Sequence, residues 1–116
     1  MAPAFDHDEL MDRIDGDLEF LEESLEIFDE DVTPLLERIR AAAASRDAEA
    51  LVTPAHTLKG LLSNFCADAA ERAAREIEQR AREQRLDGID ALVQGLEQET
   101  SRLRCELQAF LEAQRQ

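Results

Sequence analysis

Apolar residues recur at alternating steps of three and four through most of this chain, and no other sequence feature constrains the fold as strongly. Such spacing places side chains on one face of an α-helix, whose period is about 3.6 residues. The longest series is formed by Leu18, Leu21, Leu25, Phe28, Val32, Leu35, Leu36 and Ile39. This series keeps its phase across Pro34, so it predicts one long helix that bends at the proline. Strand-type alternation is almost absent, which favours an all-helical fold.

Turn and capping residues divide the chain into one short and four long helices. The short helix is predicted over about Asp6 to Ile14 and ends before Gly16. In the third helix, Pro54 is expected to separate an irregular first turn from the regular part. Residues predicted to begin the four long helices are Asp17, Asp47, Asp68 and the pair Asp87-Gly88. Short connections force neighbouring helices to run antiparallel. The prediction is an all-α fold: an antiparallel up-down-up-down four-helix bundle with a short additional N-terminal helix, forming a single domain over residues 1–116.

The chain is strongly acidic, with 27 Asp and Glu against 13 Lys and Arg and a net charge of −14. Such a surface repels phosphate backbones and anionic lipids, so neither nucleic acid nor a membrane is an expected partner. The first residues do not resemble a signal peptide and no apolar run approaches the roughly 20 residues of a transmembrane helix, so a cytoplasmic location is expected. Cys66 and Cys105 lie 39 residues apart without metal-ligand spacing, and neither a disulfide nor a metal site is predicted.

The third helix has one polar face that concentrates chemically useful residues. Successive helical residues rotate by about 100°, so Lys59, Gly60 and Ser63 share a face with His56. The opposite face is apolar and consists of Leu58, Leu61, Leu62 and Phe65. Because the core must take the apolar face, His56 is predicted to point to solvent.

An exposed imidazole is a nitrogen nucleophile near neutral pH, able to accept and release a phosphoryl group. Lys59 would offset the charge of that group. Gly60 costs about 1 kcal/mol in a helix interior relative to alanine, and we interpret it as giving a partner's cleft access to the imidazole. An exposed histidine is ordinary by itself, so this interpretation depends on the three residues together. The face contains no general base, and the imidazole is expected to act unassisted by its own chain.

The run from Ala55 to Gly60, Ala-His-Thr-Leu-Lys-Gly, matches the signature AHxLKG, and the chain resembles the histidine-containing phosphotransfer (HPt) domain family over nearly its whole length. The resemblance implies that His56 is phosphorylated, usually on Nε2, that Lys59 steadies the phosphoryl group, and that Gly60 admits a receiver domain. Ser63 and Glu78 are possible flanking residues, and the family often has Gln or Glu at the position of Glu78.

The resemblance implies a phosphocarrier of a two-component phosphorelay rather than a self-sufficient enzyme. The expected partners are a hybrid histidine kinase and response-regulator receiver domains, which would supply Mg²⁺; no cofactor is expected in this chain, which is expected to be monomeric. The alternative is a non-catalytic helical adaptor or docking domain of the same fold. The intact set of His56, Lys59 and Gly60 favours the carrier. His7, which lacks a lysine and a glycine at the same offsets, is interpreted as an ordinary surface residue.

The sequence departs from the family pattern in two places. Many members have a second glycine ten residues after the histidine, where this chain has Cys66, and this puts the geometry of the helix end in question. Leu61 and Leu62 stand where small residues are common, whereas the next helix is rich in alanine. We expect a volume-conserving exchange between the two helices, which packed cores tolerate.

Overall fold

The computed structural model describes residues 2–116, and within them the chain forms five α-helices. Their bounds are α1 His7–Arg13, α2 Leu18–Ala44, α3 Ala48–Ser63, α4 Asp68–Arg82 and α5 Ile89–Gln114. The predicted all-helical fold and the number of helices are confirmed. None of the described helices is both long and apolar enough to cross a membrane.

Aspartate side chains cap the first three helices in the same way. Asp6, Asp17 and Asp47 each precede a helix and accept a hydrogen bond from the backbone N–H three residues later, at 3.0 Å. These bonds satisfy N–H groups that lack a partner within the helix. The prediction of Asp68 as the cap of α4 is wrong. Ala67 occupies the cap position without a side-chain hydrogen bond, and Asp68 lies inside the first turn, where its charge favours the helix dipole.

Both prolines of the long helices lie inside continuous helix. Pro34 is within α2, as the unbroken apolar series predicts. Pro54 is within α3, which is helical from Ala48 onward, so the predicted irregular first turn is wrong. The ring removes one backbone hydrogen bond, but burial of the apolar face on both sides of Pro54 keeps the segment helical.

The first four helices end in left-handed residues that are not glycine. These residues are Asp15, Arg46, Cys66 and Gln84, with φ between 54° and 56°. Each is followed by an N–H that bonds to the carbonyl five residues back, as from Ala67 to Leu62 and from Arg85 to Arg80. This is the Schellman arrangement, in which glycine is the preferred left-handed residue. It explains the family's glycine at the position of Cys66: the backbone there requires a positive φ.

The four long helices enclose one core. Each contacts two others, in the order α2–α3–α4–α5–α2. Ion pairs fasten α2 to α5 across the surface of the core; they join Glu22 to Arg115, Asp29 to Arg104 (2.8 Å) and Arg40 to Glu97 (3.1 Å). Leu58 and Leu62 of α3 and Phe65, just after it, are buried as predicted, whereas Leu61 is only half-buried. The expected exchange of volume between α3 and the alanines of α4 stays a prediction.

The left-handed residue at the end of α4 generates a stability prediction. Gln84 is exposed and has φ 56°, a conformation that costs a residue with a Cβ about 1–2 kcal/mol. Gln84→Gly should raise the free energy of unfolding by about 1 kcal/mol, since the relief of strain exceeds the added entropy of the unfolded chain. Urea unfolding followed by circular dichroism measures this change.

Gln79→Gly is the matched control, because it makes the same chemical change at an exposed position inside α4. There glycine should lower the free energy of unfolding by about 0.5–1 kcal/mol. Equal effects of the two substitutions would contradict the role assigned to the left-handed position.

Candidate functional site

His56 lies in the second half of α3, and its side chain is 60% exposed. Its neighbours Pro54, Ala55 and Leu58 are buried and fix the orientation of the helix against the core. The imidazole therefore stands on the solvent side, as its place on the polar face predicts.

The imidazole is not unassisted, so that expectation was wrong. Its Nδ1 lies 3.0 Å from Oε2 of Glu78, which reaches it from α4. The face of α3 holds no base, but α3 and α4 pack together and bring this carboxylate from the neighbouring helix. Glu78 is itself almost buried, with 8% of its side chain exposed.

Lys59 and Arg82 complete a cluster around the Glu78 carboxylate. The Lys59 ammonium lies 2.9 Å from Oε1. The Arg82 guanidinium donates to Oε2 through Nε at 3.0 Å and Nη2 at 2.8 Å. Lys59 was expected to face solvent, but only 26% of its side chain is exposed, because it extends over α4 to reach the carboxylate. We call His56, Lys59, Glu78 and Arg82 the site cluster.

Sequence reasoning missed Arg82. A signal was available, since Arg82 lies four residues after Glu78 on one helix, the spacing at which opposite charges meet. That spacing also occurs at exposed pairs such as Glu71 and Arg75, so the pattern did not distinguish a site from an ordinary surface ion pair.

The Glu78 carboxyl stays ionised because its surroundings favour the charge. Burial alone would raise its pKa. The two cations and the imidazole N–H act in the opposite direction and outweigh burial, so the pKa is lowered from 4.5 to about 2. The Oε1 atom is buried, and among the described residues no donor meets it with hydrogen-bond geometry. The contact of Lys59 with Oε1 is therefore an ion pair.

An ionised carboxylate can only accept, which assigns the proton of the neutral imidazole to Nδ1. Nε2 then has a free lone pair, on a side chain that is 60% exposed. This arrangement presents a nucleophilic nitrogen to an incoming group while the opposite nitrogen is held by the protein.

Gly60 has no packing reason to be glycine. In the part of the chain that the structure describes, no neighbouring element or non-adjacent side chain lies within 4 Å of a Cβ built there. Ser63 is exposed and lies about 10 Å further along the helix axis from His56. Its carbonyl accepts a hydrogen bond from Arg13 at 2.7 Å, so its backbone anchors α1.

Beyond Gly60 the surface opens into an apolar groove of about 460 Å³ between α1, α2 and α3. Leu61 of α3 and Phe65, in the turn after α3, line one wall, and Phe20 and Ile27 of α2 line another. Phe20 and Ile27 are 53% and 58% exposed, and in the described chain they are the only large hydrophobic residues exposed to this degree.

The other histidine lies apart from the site cluster. His7 stacks on Phe5 with ring centroids 4.3 Å apart and lies 5.0 Å from the ring of Phe110. Within residues 2–116, no group of three or more His, Cys, Asp or Glu side chains is arranged to hold a metal ion.

The low pKa of Glu78 predicts how stability depends on pH. The folded pKa, about 2, lies below the ordinary value of 4.5, so the unfolded chain binds the proton more tightly. The contribution of Glu78 to stability is therefore complete above pH 4.5 and is lost as the pH falls towards 2. Glu78→Gln should lower the free energy of unfolding by roughly 1–3 kcal/mol at pH 7, and the difference from wild type should shrink towards pH 2.

Urea unfolding at pH 7, 4 and 2.5 measures this difference. Glu76→Gln is the control, since Glu76 is half-exposed and pairs with Arg80 at 3.7 Å. Its effect should stay below about 0.5 kcal/mol at each pH. A difference between Glu78→Gln and wild type that is constant with pH would contradict the ionised, stabilising carboxylate.

Comparison with known proteins identifies the family. The family model "Hpt domain" matches residues 23–113, which include the whole site cluster. A comparison with curated protein sequences gave no match. Among solved structures, the chain is similar to the crystal structure of histidine-containing phosphotransfer protein B (HptB) from Pseudomonas aeruginosa PAO1. The two are 27% identical and superpose with a TM-score of 0.87, over 97% of this chain and 98% of that one. The chain belongs to the Hpt domain family.

Proposed function

We propose that this protein carries a phosphoryl group on Nε2 of His56. It receives the group from a receiver-domain aspartate of a hybrid histidine kinase and delivers it to the receiver aspartate of a response regulator. The observation on which this depends most is the contact of Nδ1 with the buried Glu78 carboxylate, which leaves Nε2 free on the exposed side of the ring. Membership of the Hpt domain family supports the reaction class.

The transfer needs no general base from this chain. The Nε2 lone pair attacks the phosphorus of the aspartyl phosphate, an N–P bond forms, and the bond from phosphorus to the aspartate oxygen breaks. The electron pair of the broken bond stays on the aspartate carboxylate. The Nδ1 proton does not move, so the ring becomes an imidazolium beside Glu78. That carboxylate stabilises the developing positive charge, and the reverse sequence returns the phosphoryl group.

Lys59 is proposed to stabilise the phosphoryl oxygens. It lies one turn after His56 on the same face and has the only cationic side chain of α3. Ser63 remains a possible flanking hydroxyl further along that face. Mg²⁺ is expected in the partner receiver domain, where it neutralises charge on the transferring group. This chain is a carrier that depends on the partner for catalysis.

The docking face is proposed to run from His56 across Gly60 to the apolar groove, with a receiver domain as its occupant. Leu61, which lines the groove, follows Gly60 directly in α3, and we propose that a domain that closes on the imidazole extends around the helix to cover Phe20 and Ile27. Large exposed apolar side chains beside a reactive group are typical of a protein contact surface.

We also infer that the bundle is antiparallel and up-down-up-down. The three ion pairs between α2 and α5 support this arrangement, because residue numbers rise along α2 while those of the partners fall, from Arg115 through Arg104 to Glu97. The closed series of contacts among the four long helices supports a single domain, which we propose for residues 1–116. A monomeric state and a cytoplasmic location remain part of the proposal.

The phosphorylation site can be tested with one pair of substitutions. After incubation with a phosphorylated receiver domain, the wild-type protein should acquire an acid-labile, base-stable phosphoryl group, as expected for phosphohistidine. His56→Gln should abolish labelling, whereas the control His7→Gln should retain it. Labelling of His56→Gln would contradict the site, and absence of labelling in the wild type would favour the adaptor function.

The docking face can be tested with two substitutions that leave the core intact. Gly60→Gln and Ile27→Asp should each slow transfer from the receiver at least tenfold through weaker docking, while Gly60→Gln raises helix stability by up to about 1 kcal/mol. Time courses of phosphoryl transfer measure the change in rate, and thermal unfolding measures the change in stability.

The controls introduce the same two residues, Gln and Asp, on α5, which does not contact α3. Gly95→Gln also has open space at its Cβ, and Gln98→Asp is exposed. Both should transfer at the wild-type rate. Wild-type rates for Gly60→Gln and Ile27→Asp would show that the receiver docks elsewhere.

A further inference from the structure

The proposed function gives Lys59 two contacts, with Glu78 and with the phosphoryl group, that it cannot make at the same time. In the structure its ammonium is paired with Oε1 of Glu78 at 2.9 Å. The proposed function, on which this inference rests, places the phosphoryl group on Nε2, at the opposite edge of the imidazole from Nδ1 and Glu78. Lys59 must therefore leave Oε1 if it is to contact the phosphoryl oxygens.

If Lys59 leaves Oε1, the buried negative charge of Glu78 loses the ammonium that it contacts. Oε1 is buried and has the Lys59 ammonium as its contact, without a hydrogen bond from any described residue. An ionised carboxylate with 8% of its side chain exposed is costly without a compensating cation. The imidazolium that forms in the transfer donates to Oε2, so Oε1 needs another positive charge when Lys59 moves.

Arg82 meets this requirement. Its Nε and Nη2 atoms already donate to Oε2, at 3.0 and 2.8 Å, from a side chain that is 59% exposed and anchored on the same helix. A guanidinium presents several donors in one plane, which suits it to engage both oxygens of a carboxylate. Its exposure leaves room for this small shift towards Oε1.

We propose that Arg82 is a positioning residue for phosphoryl transfer: it keeps the Glu78 carboxylate charge-compensated, so that Lys59 can move from Glu78 to the phosphoryl group on His56. Two cations share one carboxylate in the unphosphorylated protein. In the phosphorylated protein Arg82 and the imidazolium N–H contact the carboxylate, and Lys59 contacts the phosphoryl group. In both states Nδ1 keeps its proton and donates a hydrogen bond to Glu78.

The test compares Arg82→Gln, Arg82→Lys and the control Arg75→Gln. Arg75 pairs with Glu71 at the same four-residue spacing on the same helix and is exposed to a similar extent, 56%. Arg82→Gln should slow transfer from a phosphorylated receiver to His56 by about tenfold, the effect of one charge-assisted contact. Arg82→Lys should recover part of the rate, because an ammonium supplies the charge without the planar donors that reach both oxygens, and Arg75→Gln should match the wild type.

A double substitution separates this role from a structural or docking role. If Arg82 acts by compensating the Glu78 charge, adding Arg82→Gln to Glu78→Gln should slow transfer no further than Glu78→Gln alone, because no charge remains to be compensated. Multiplied effects would show that Arg82 acts independently, for example by touching the receiver, and would overturn the inference.

A measurement without the partner gives a second readout. The protein is phosphorylated with phosphoramidate, and the ¹⁵N signal of the Lys59 ammonium is followed by NMR. In the wild type and in Arg75→Gln this signal should shift on phosphorylation, whereas in Arg82→Gln it should not, because Lys59 stays on Glu78. An equal shift in all three proteins would overturn the inference. Absence of phosphohistidine in the wild type would instead contradict the proposed function itself.

Discussion

The site depends on the contacts that the Glu78 carboxylate makes with His56, Lys59 and Arg82. The carboxylate is buried between α3 and α4, yet the surrounding cations hold its pKa at about 2, so it stays a pure acceptor. A buried charge of this kind is tolerated only when its partners are in place. The carboxylate therefore fixes the orientation of the His56 ring and the identity of its protonated nitrogen. It also ties the position of Lys59 to α4 rather than leaving the lysine free in solvent.

The helices supply the rigidity that this cluster needs. His56 and Lys59 lie on α3, and Glu78 and Arg82 lie on α4, two helices with extensive mutual contact. Sites built on packed helices keep their geometry more precisely than sites on loops. The exposed edge of the imidazole and the open space at Gly60 are the places where the fold leaves access. The molecule thus combines a fixed imidazole with an unobstructed approach, and in the proposed function the partner supplies the remaining catalysis.

Periodicity predicted much of the fold, because burial of an apolar face is a repeated signal along each helix. It predicted the all-helical class, the unbroken passage of α2 through Pro34 and the outward orientation of His56. Helix ends were harder, since left-handed residues such as Arg46 and Gln84 lack the glycine that usually marks them. Pairing between helices was hardest. Glu78 was recognised only through family resemblance, and Arg82 was missed, because no single-helix pattern reveals which side chains meet across α3 and α4.

The central claim is that Nδ1 of His56 is held by Glu78 and that Nε2 is the atom that accepts the phosphoryl group. Its most direct test is NMR of the ¹⁵N-histidine-labelled, phosphorylated protein, in which coupling to ³¹P and the ring nitrogen shifts identify the phosphorylated nitrogen. The account predicts phosphorus on Nε2 and a proton on Nδ1. Phosphorus on Nδ1 would contradict it, because that nitrogen could not then donate to the carboxylate.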